Sequence, residues 1–212
     1  MSKPIHTSLA ATLFGGAFVL AMGVFSHAQA QPTIGQPAPD FVAVDTQGNT
    51  HELADFKGQT VILEWTNHDC PFVQKHYESG NMQTQQREAQ SDHDVVWLTV
   101  ISSSPGTQGH VSPAQADELT ASRNAAPTAV LLDEDGTVGR AFDARVTPHM
   151  YIIDETSTLI YMGGIDSNPS ANPDDIPTAT QYVVQALQQK AADDPISEPI
   201  TRPYGCSIKY SD

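Results

Sequence analysis

Three short, almost wholly apolar runs constrain this chain more than any other feature. "TVILEW" (60 to 65), "DVVWLTVI" (94 to 101) and "TAVLLD" (128 to 133) are rich in Val, Ile and Leu and lack the alternation of a half-exposed strand. Such runs are strands buried on both faces, so the sheet they form needs helices on each side. The intervening segments supply helices. Helix formers follow Cys70-Pro71 to about Gln90, with Ser79-Gly80-Asn81 placed to kink or split the helix, and Ser112-Pro113 opens another that runs to about Arg123. Upstream, "FVAVD" (41 to 45) alternates and leads through the turn "TQGN" into a hairpin. Downstream, "HMYIID" (149 to 154) and "TLIYMGG" (158 to 164) read as an antiparallel pair. Asp166 to Ile176 reads as a surface loop, and Pro177 is placed to open a last helix with Tyr182, Val183, Ala186, Leu187 and Lys190 on one face. The expected class is α/β, a central mixed β-sheet flanked by helices on both faces.

Residues 1–30 read as a secretory signal: Lys3, an apolar stretch from Leu9 to Phe25, and Ala28-Gln29-Ala30 as the cleavage site. No permanent membrane anchor is expected, since Gly15, Gly16 and Gly23 break the apolar stretch. The expected setting is therefore exported, periplasmic or secreted. The remainder divides into one domain, 31–192, and an extended tail, 193–212, that carries Cys206. The formal net charge of the whole chain is -15. Nucleic-acid binding is disfavoured, because neutralising phosphates needs a basic patch.

The two cysteines, Cys70 and Cys206, allow one intrachain pair, and an oxidising compartment lets disulfides persist. Cys70 precedes Pro71 at a predicted helix start, where free N–H groups and the helix dipole stabilise a thiolate. His68 and His149 add to that if they are charged and close, while Asp69 opposes it. If the tail folds back, Cys206 is either a resolving cysteine for oxidised Cys70 or a structural staple closing a long loop, and a third option leaves both thiols free. His68, Cys70, His149 and Cys206 also form a candidate soft-ligand set for copper or zinc, the chemistry of a metal-binding chaperone. His76 reads as a helix-face or core histidine, and His51, His93 and His110 as solvated loop residues. The pairs Asp133/Asp135 and Asp174/Asp175 sit in turns, and Trp65 and Trp97 read as core.

A strand ending in Trp65, a short loop, then Cys-Pro opening a helix resembles the active-site region of the thioredoxin fold. "IGQPAPDFVAVDTQGNTHELADFKGQTVILEW" resembles the opening of the alkyl hydroperoxide reductase and thiol-specific antioxidant group, the peroxiredoxins and their redoxin relatives. "VTPHMYIIDETSTLIYMGGID" is similar to the segment where thioredoxin-fold proteins place a cis-proline beside the reactive cysteine. "NHDCPFV" and "PYGCSIKY" resemble a narrower peroxiredoxin-like set. The resemblance implies a thioredoxin-like fold and a thiol oxidoreductase, acting by thiol-disulfide exchange or in an antioxidant role. It implies Cys70 as nucleophile, Cys206 as resolving or disulfide partner, and Pro71, Thr147, Pro148, Asn67, His68 and Trp65 as the substrate-facing wall. Pro148 would be cis and would present the Thr147 backbone to an extended partner. No cofactor and no metal is assigned; the partners are a thiol, disulfide or peroxide substrate and an external reductant.

The sequence departs from the peroxiredoxin pattern P-x-x-x-T/S-x-x-C, with Asn67 at the Thr/Ser place and Leu63 at the proline place, and Thr147 stands where the family arginine would align. Nor is there a C-x-x-C, since Val73 or Asn67 holds the second cysteine's place. A weak hydroperoxide reductase, a metal-binding chaperone and a redox-inert binding module with a structural disulfide are the alternatives.

Overall fold

A computed structural model describes residues 31–211 together with Met1. The signal assigned to residues 1–30 lies, apart from Met1, outside the described residues. No helix among those described is long and apolar enough to cross a membrane.

The three apolar runs become β3 (Thr60–Trp65), β4 (Val95–Ile101) and β5 (Ala129–Leu132), and they pair in parallel in the order β3, β4, β5. The predicted hairpins flank them. β1 (Val42–Asp45) pairs antiparallel with β2 (Thr50–Glu52) and with β5, while β7 (His149–Ile153) pairs antiparallel with β3 and with β8 (Leu159–Gly163). The seven strands lie in the order β2-β1-β5-β4-β3-β7-β8. This is a mixed sheet of the thioredoxin-like kind.

Strand alternation divides the core in two. Val61, Leu63 and Trp65 face one apolar cluster with Leu98, Phe142 and Tyr151; Ile62 faces a second with Cys70, Val73, Trp97, Met150 and Leu187. Glu64 shares the second face and is fully buried. Four donors meet its carboxylate: Tyr77 Oη at 2.7 Å, Trp97 Nε1 at 2.8 Å, and Gln86 Nε2 and Thr99 Oγ1 at 3.1 Å. Burial raises its pKa against the pull of those donors.

Helices cover both faces. α1 (Pro71–Glu78) and α2 (Asn81–His93) are split at Ser79-Gly80, and Gly80 takes the break at φ +78°. α3 (Pro113–Ser122) is capped by Ser112, whose hydroxyl accepts the Gln115 N–H. α4 (Thr137–Ala141) was hidden in the sequence, where "EDG" signals only a turn. It forms because buried Asp133 accepts the Val138 and Gly139 N–H groups at 2.9 and 2.8 Å. α5 (Tyr182–Ala191) buries Val183, Ala186 and Leu187.

Three expectations need correction. Pro177 does not open α5 but lies inside a 3₁₀ helix, Pro173–Thr178. Bonds from Ser167 N–H to Thr180 O and from Tyr182 N–H to Ile165 O hold 179–181 extended, so α5 starts later. The 166–176 loop is not wholly a surface feature, since Asp166 is 1 % exposed. His51 lies in β2 with Nε2 2.8 Å from Asp45, and His93 closes α2.

The tail is extended, as the prolines and glycines from 193 onward suggest. Ile200 bridges Met162 of β8, and Ile208 is buried against the first core. Between them, β9 (Cys206–Ser207) pairs antiparallel with β6 (Val146–Thr147).

Candidate active site

Cys70 is the N-cap of α1, with Pro71 at the first helical position and the Val73 and Gln74 N–H groups both 2.9 Å from the Cys70 carbonyl. The proline fits because that position has no intrahelical use for an N–H. The sulfur is fully buried. Its thiol donates to Thr147 O at 3.2 Å, and the Cys206 N–H donates to the sulfur at 3.4 Å. Thr147-Pro148 is a cis peptide. Cys206 reaches this point because β9 runs beside β6 with Thr147 opposite Cys206. With Cys206 N one bond from its Cα, that Cα lies within about 5 Å of the Cys70 sulfur. Both cysteines are free thiols in this structure.

Burial pushes the Cys206 thiol up to about 12; the hydrogen bond and charge of Cys70 add to the rise, and Lys209 opposes it. Cys206 therefore holds its proton at neutral pH. The two sulfurs are unequal in place, Cys70 being fully buried and Cys206 only partly so.

Gly205 is what lets the tail approach. Its φ is +136°, and a Cβ there would lie 1.9 Å from Thr147 O, a backbone atom with nowhere to go. Gly205→Ala is expected to lift β9 and raise the rate of Cys70 alkylation by iodoacetamide at least tenfold, read by mass spectrometry. An unchanged rate would show that β9 does not cover the sulfur.

The structure brings Cys70, Pro71, Thr147, Pro148 and Cys206 together. It places the other residues expected at the wall elsewhere. Trp65 does not face a substrate: it is fully buried, its Nε1 donates to Ser102 Oγ at 2.9 Å, and its ring packs on Phe142 and Tyr151. Period-two alternation along β3 sends it to the face opposite Cys70. Asn67 is 1 % exposed, accepts the Asp69 N–H, and lies against Gly109. It lines a separate cavity with Thr66, His68, Tyr77, Thr99 and Arg123. His68, half-buried, has Nε2 3.3 Å from Asp69.

His149 does not assist Cys70 either. Its ring packs 4.6 Å from that of Tyr151, in the first cluster, and Nδ1 lies 3.2 Å from Tyr151 Oη. Burial pushes its pKa down to about 4, with Asp143 opposing and Arg145 adding to the fall, so it is neutral near pH 7. The soft-ligand set of His68, Cys70, His149 and Cys206 is thus not assembled, and no group of three or more His, Cys, Asp or Glu is placed to hold a metal among the described residues.

Sequence reading missed a second cluster beside the tail. The buried side chains of Lys75 and His76 of α1 and of Asp166 meet the half-buried Tyr204 in a polar network. The one available signal was position: Tyr204 stands two residues before Cys206.

A search of the curated proteins finds no match to this chain. Among solved structures, an uncharacterized conserved protein from Geobacillus kaustophilus is 24% identical, with a TM-score of 0.73, over 84% of this chain and 93% of that one. A hypothetical protein from Sinorhizobium meliloti 1021 is 20% identical, with a TM-score of 0.68, over 86% of this chain and 97% of that one. A solution structure provisionally assigned as a protein disulfide isomerase, from Bacteroides thetaiotaomicron, is 15% identical, with a TM-score of 0.53, over 79% and 92% of the two chains. These similarities show a shared fold. The model of the AhpC/TSA family matches residues 34–162, which span β1 to β8 and include Cys70, Thr147 and Pro148 but end short of Cys206. The chain belongs to the AhpC/TSA family.

Proposed function

We propose that this protein is a thiol-disulfide oxidoreductase whose redox couple is Cys70 and Cys206. The observation that carries this reading is the Cys206 N–H on the Cys70 sulfur at 3.4 Å, beside the Thr147 carbonyl. With β9 lifted from the buried sulfur, the Cys70 thiolate attacks one sulfur of a substrate disulfide, forming a mixed disulfide and expelling the other sulfur as a thiolate. Cys206 then loses its proton and attacks the Cys70 sulfur, releasing the second substrate thiol. The Cys70–Cys206 bond forms as the substrate bond is replaced by two thiols, a transfer of two electrons and two protons. An external dithiol reverses the process and resets the protein.

Thiol exchange is favoured over peroxide reduction because, among the described residues, nothing at the sulfur is built for peroxide. Among the described residues, its hydrogen-bond partners are Thr147 O and Cys206 N–H. Asn67, at the family's Thr/Ser place, is engaged with Asp69, and Arg145 pairs with Asp143 on the surface. The exported setting expected from residues 1–30 agrees with this role, since such a couple cycles against protein disulfides there.

The test is equilibration of the protein in graded glutathione buffers, followed by acid quench, alkylation and peptide mapping. The expected result is a single intramolecular Cys70–Cys206 disulfide in a cooperative transition, with faster dithiothreitol-driven reduction of insulin. A Cys206 that stays alkylatable throughout would overturn the reading.

A further inference from the structure

The tail that delivers Cys206 is fixed by a closed set of hydrogen bonds built on the buried side chains of Lys75, His76 and Asp166. Lys75 has three donors, and Nζ places them on Asp166 Oδ2 at 2.9 Å, Asn168 O at 3.0 Å and Tyr204 Oη at 3.3 Å. The Asn81 amide donates to His76 Nδ1 at 2.8 Å, which leaves the hydrogen of the neutral ring on Nε2, 3.2 Å from Tyr204 Oη. The Tyr204 hydroxyl donates its own hydrogen to Asp166 Oδ1. The Tyr204 hydroxyl oxygen thus gives one hydrogen bond and accepts two, its full capacity. Lys75, His76 and Asp166 side chains are wholly buried. A 3.8 Å approach of His76 to Asp166 is not an ion pair, because burial leaves the ring uncharged and Lys75 already neutralises the carboxylate.

A polar network with every member matched is costly to leave half-made, so it selects one placement of its parts. Here the parts are the helix that begins at Cys70, the loop at 166–168, and a tail residue two positions from Cys206. Gly205 alone separates Tyr204 from Cys206, and the Tyr204 ring also packs edge-on against Phe72 at 5.7 Å. We propose that Tyr204 is the positioning residue of the redox couple: its hydroxyl, seated among Lys75, His76 and Asp166, sets the register in which Cys206 meets Cys70. The proposal rests on the Cys70–Cys206 reading for its redox consequence, though not for its effect on access to Cys70.

The test compares Tyr204→Phe with Tyr210→Phe in the full-length protein. Tyr204→Phe keeps the ring against Phe72 but strands a hydrogen on Lys75 and one on His76. Tyr210→Phe removes a different tail hydroxyl, which donates to Ala144 O at 2.8 Å away from this network. Tyr204→Phe is expected to lower the Cys70–Cys206 equilibrium constant against glutathione about tenfold, roughly 30 mV for a two-electron couple. The same variant should raise Cys70 alkylation in the reduced protein by a similar factor. Tyr210→Phe should change neither by more than about twofold, on the view that these bonds are far apart and independent. Wild-type values for Tyr204→Phe in both assays, or equal changes in both variants, would overturn the proposal. Should wild-type protein form no disulfide, the function proposed above fails, while alkylation still decides the role of Tyr204. If Tyr204→Phe does not fold, amide hydrogen exchange in the unaltered protein decides instead: Gly205 and Cys206 must exchange more slowly than 193–198, and equal rates would sink the idea.

Discussion

Cys70→Ser should lose thiol-disulfide exchange by at least about a thousandfold, a barrier increase of about 4 kcal/mol, while retaining the fold. The hydroxyl still reaches the Thr147 carbonyl and still accepts from Cys206 N–H, so neither buried group is orphaned. What vanishes is an ionisable nucleophile at the helix start. Cys206 cannot take its place. The largest cause of its raised pKa is burial, which survives the substitution, and a thiol at about 12 is ionised to only about one part in 10⁵ at pH 7. Cys206→Ser should fail differently, keeping the first attack and accumulating a mixed disulfide on Cys70, visible as a mass increase that dithiothreitol removes. Insulin reduction with and without each substitution checks both expectations. Turnover of Cys70→Ser above about one-hundredth of wild type would reassign the nucleophile.

The sheet was legible because its information is local: each central strand announces itself by a run of apolar, β-branched residues, and the bounding turns by short polar stretches such as "TQGN" and "EDG". The α1 start was legible for the same reason, since Cys-Pro after a buried strand admits few local structures. What the sequence hid is carried by partners far apart along the chain. Lys75, Asp166 and Tyr204 look like a helix-surface charge, a loop acid and a tail aromatic until folding brings them into one cluster. Trp65 shows a second limit. The resemblance implies a wall residue, yet strand alternation turns it to the other face, where it packs in the core as its own sequence context reads. Glu64 could have been flagged from "TVILEW" alone, because a carboxylate in a doubly buried strand must find several donors. Cys206 lies outside the stretch that matches the family, so its role had to come from the geometry of the tail.

Acid should destabilise this protein steeply between about pH 6.5 and 4, and two buried histidines are the reason. Burial pushes the pKa values of His76 and His149 down to about 4, in each case the leading cause. An unfolded histidine takes its proton near 6.5, so between those limits the unfolded chain binds more protons than the native one. Stability from each ring is therefore present above 6.5 and is lost as pH falls toward 4, at up to about 1.4 kcal/mol per pH unit, or about 3 kcal/mol per ring across the window. Glu64 acts in the opposite sense. Its folded pKa is raised, so its contribution is fully present below the usual glutamate value and is lost as pH rises, which partly offsets the histidines on acidification. A comparison that cancels Glu64 isolates the effect. His149→Gln keeps an acceptor near Tyr151 Oη but cannot titrate. Urea unfolding at several pH values should show the variant's stability falling less steeply than wild type, by about 1.4 kcal/mol per pH unit between pH 6 and 4.5. Parallel curves would mean that His149 is protonated equally in both states, and that the Tyr151 side of the sheet is wetter than its packing indicates.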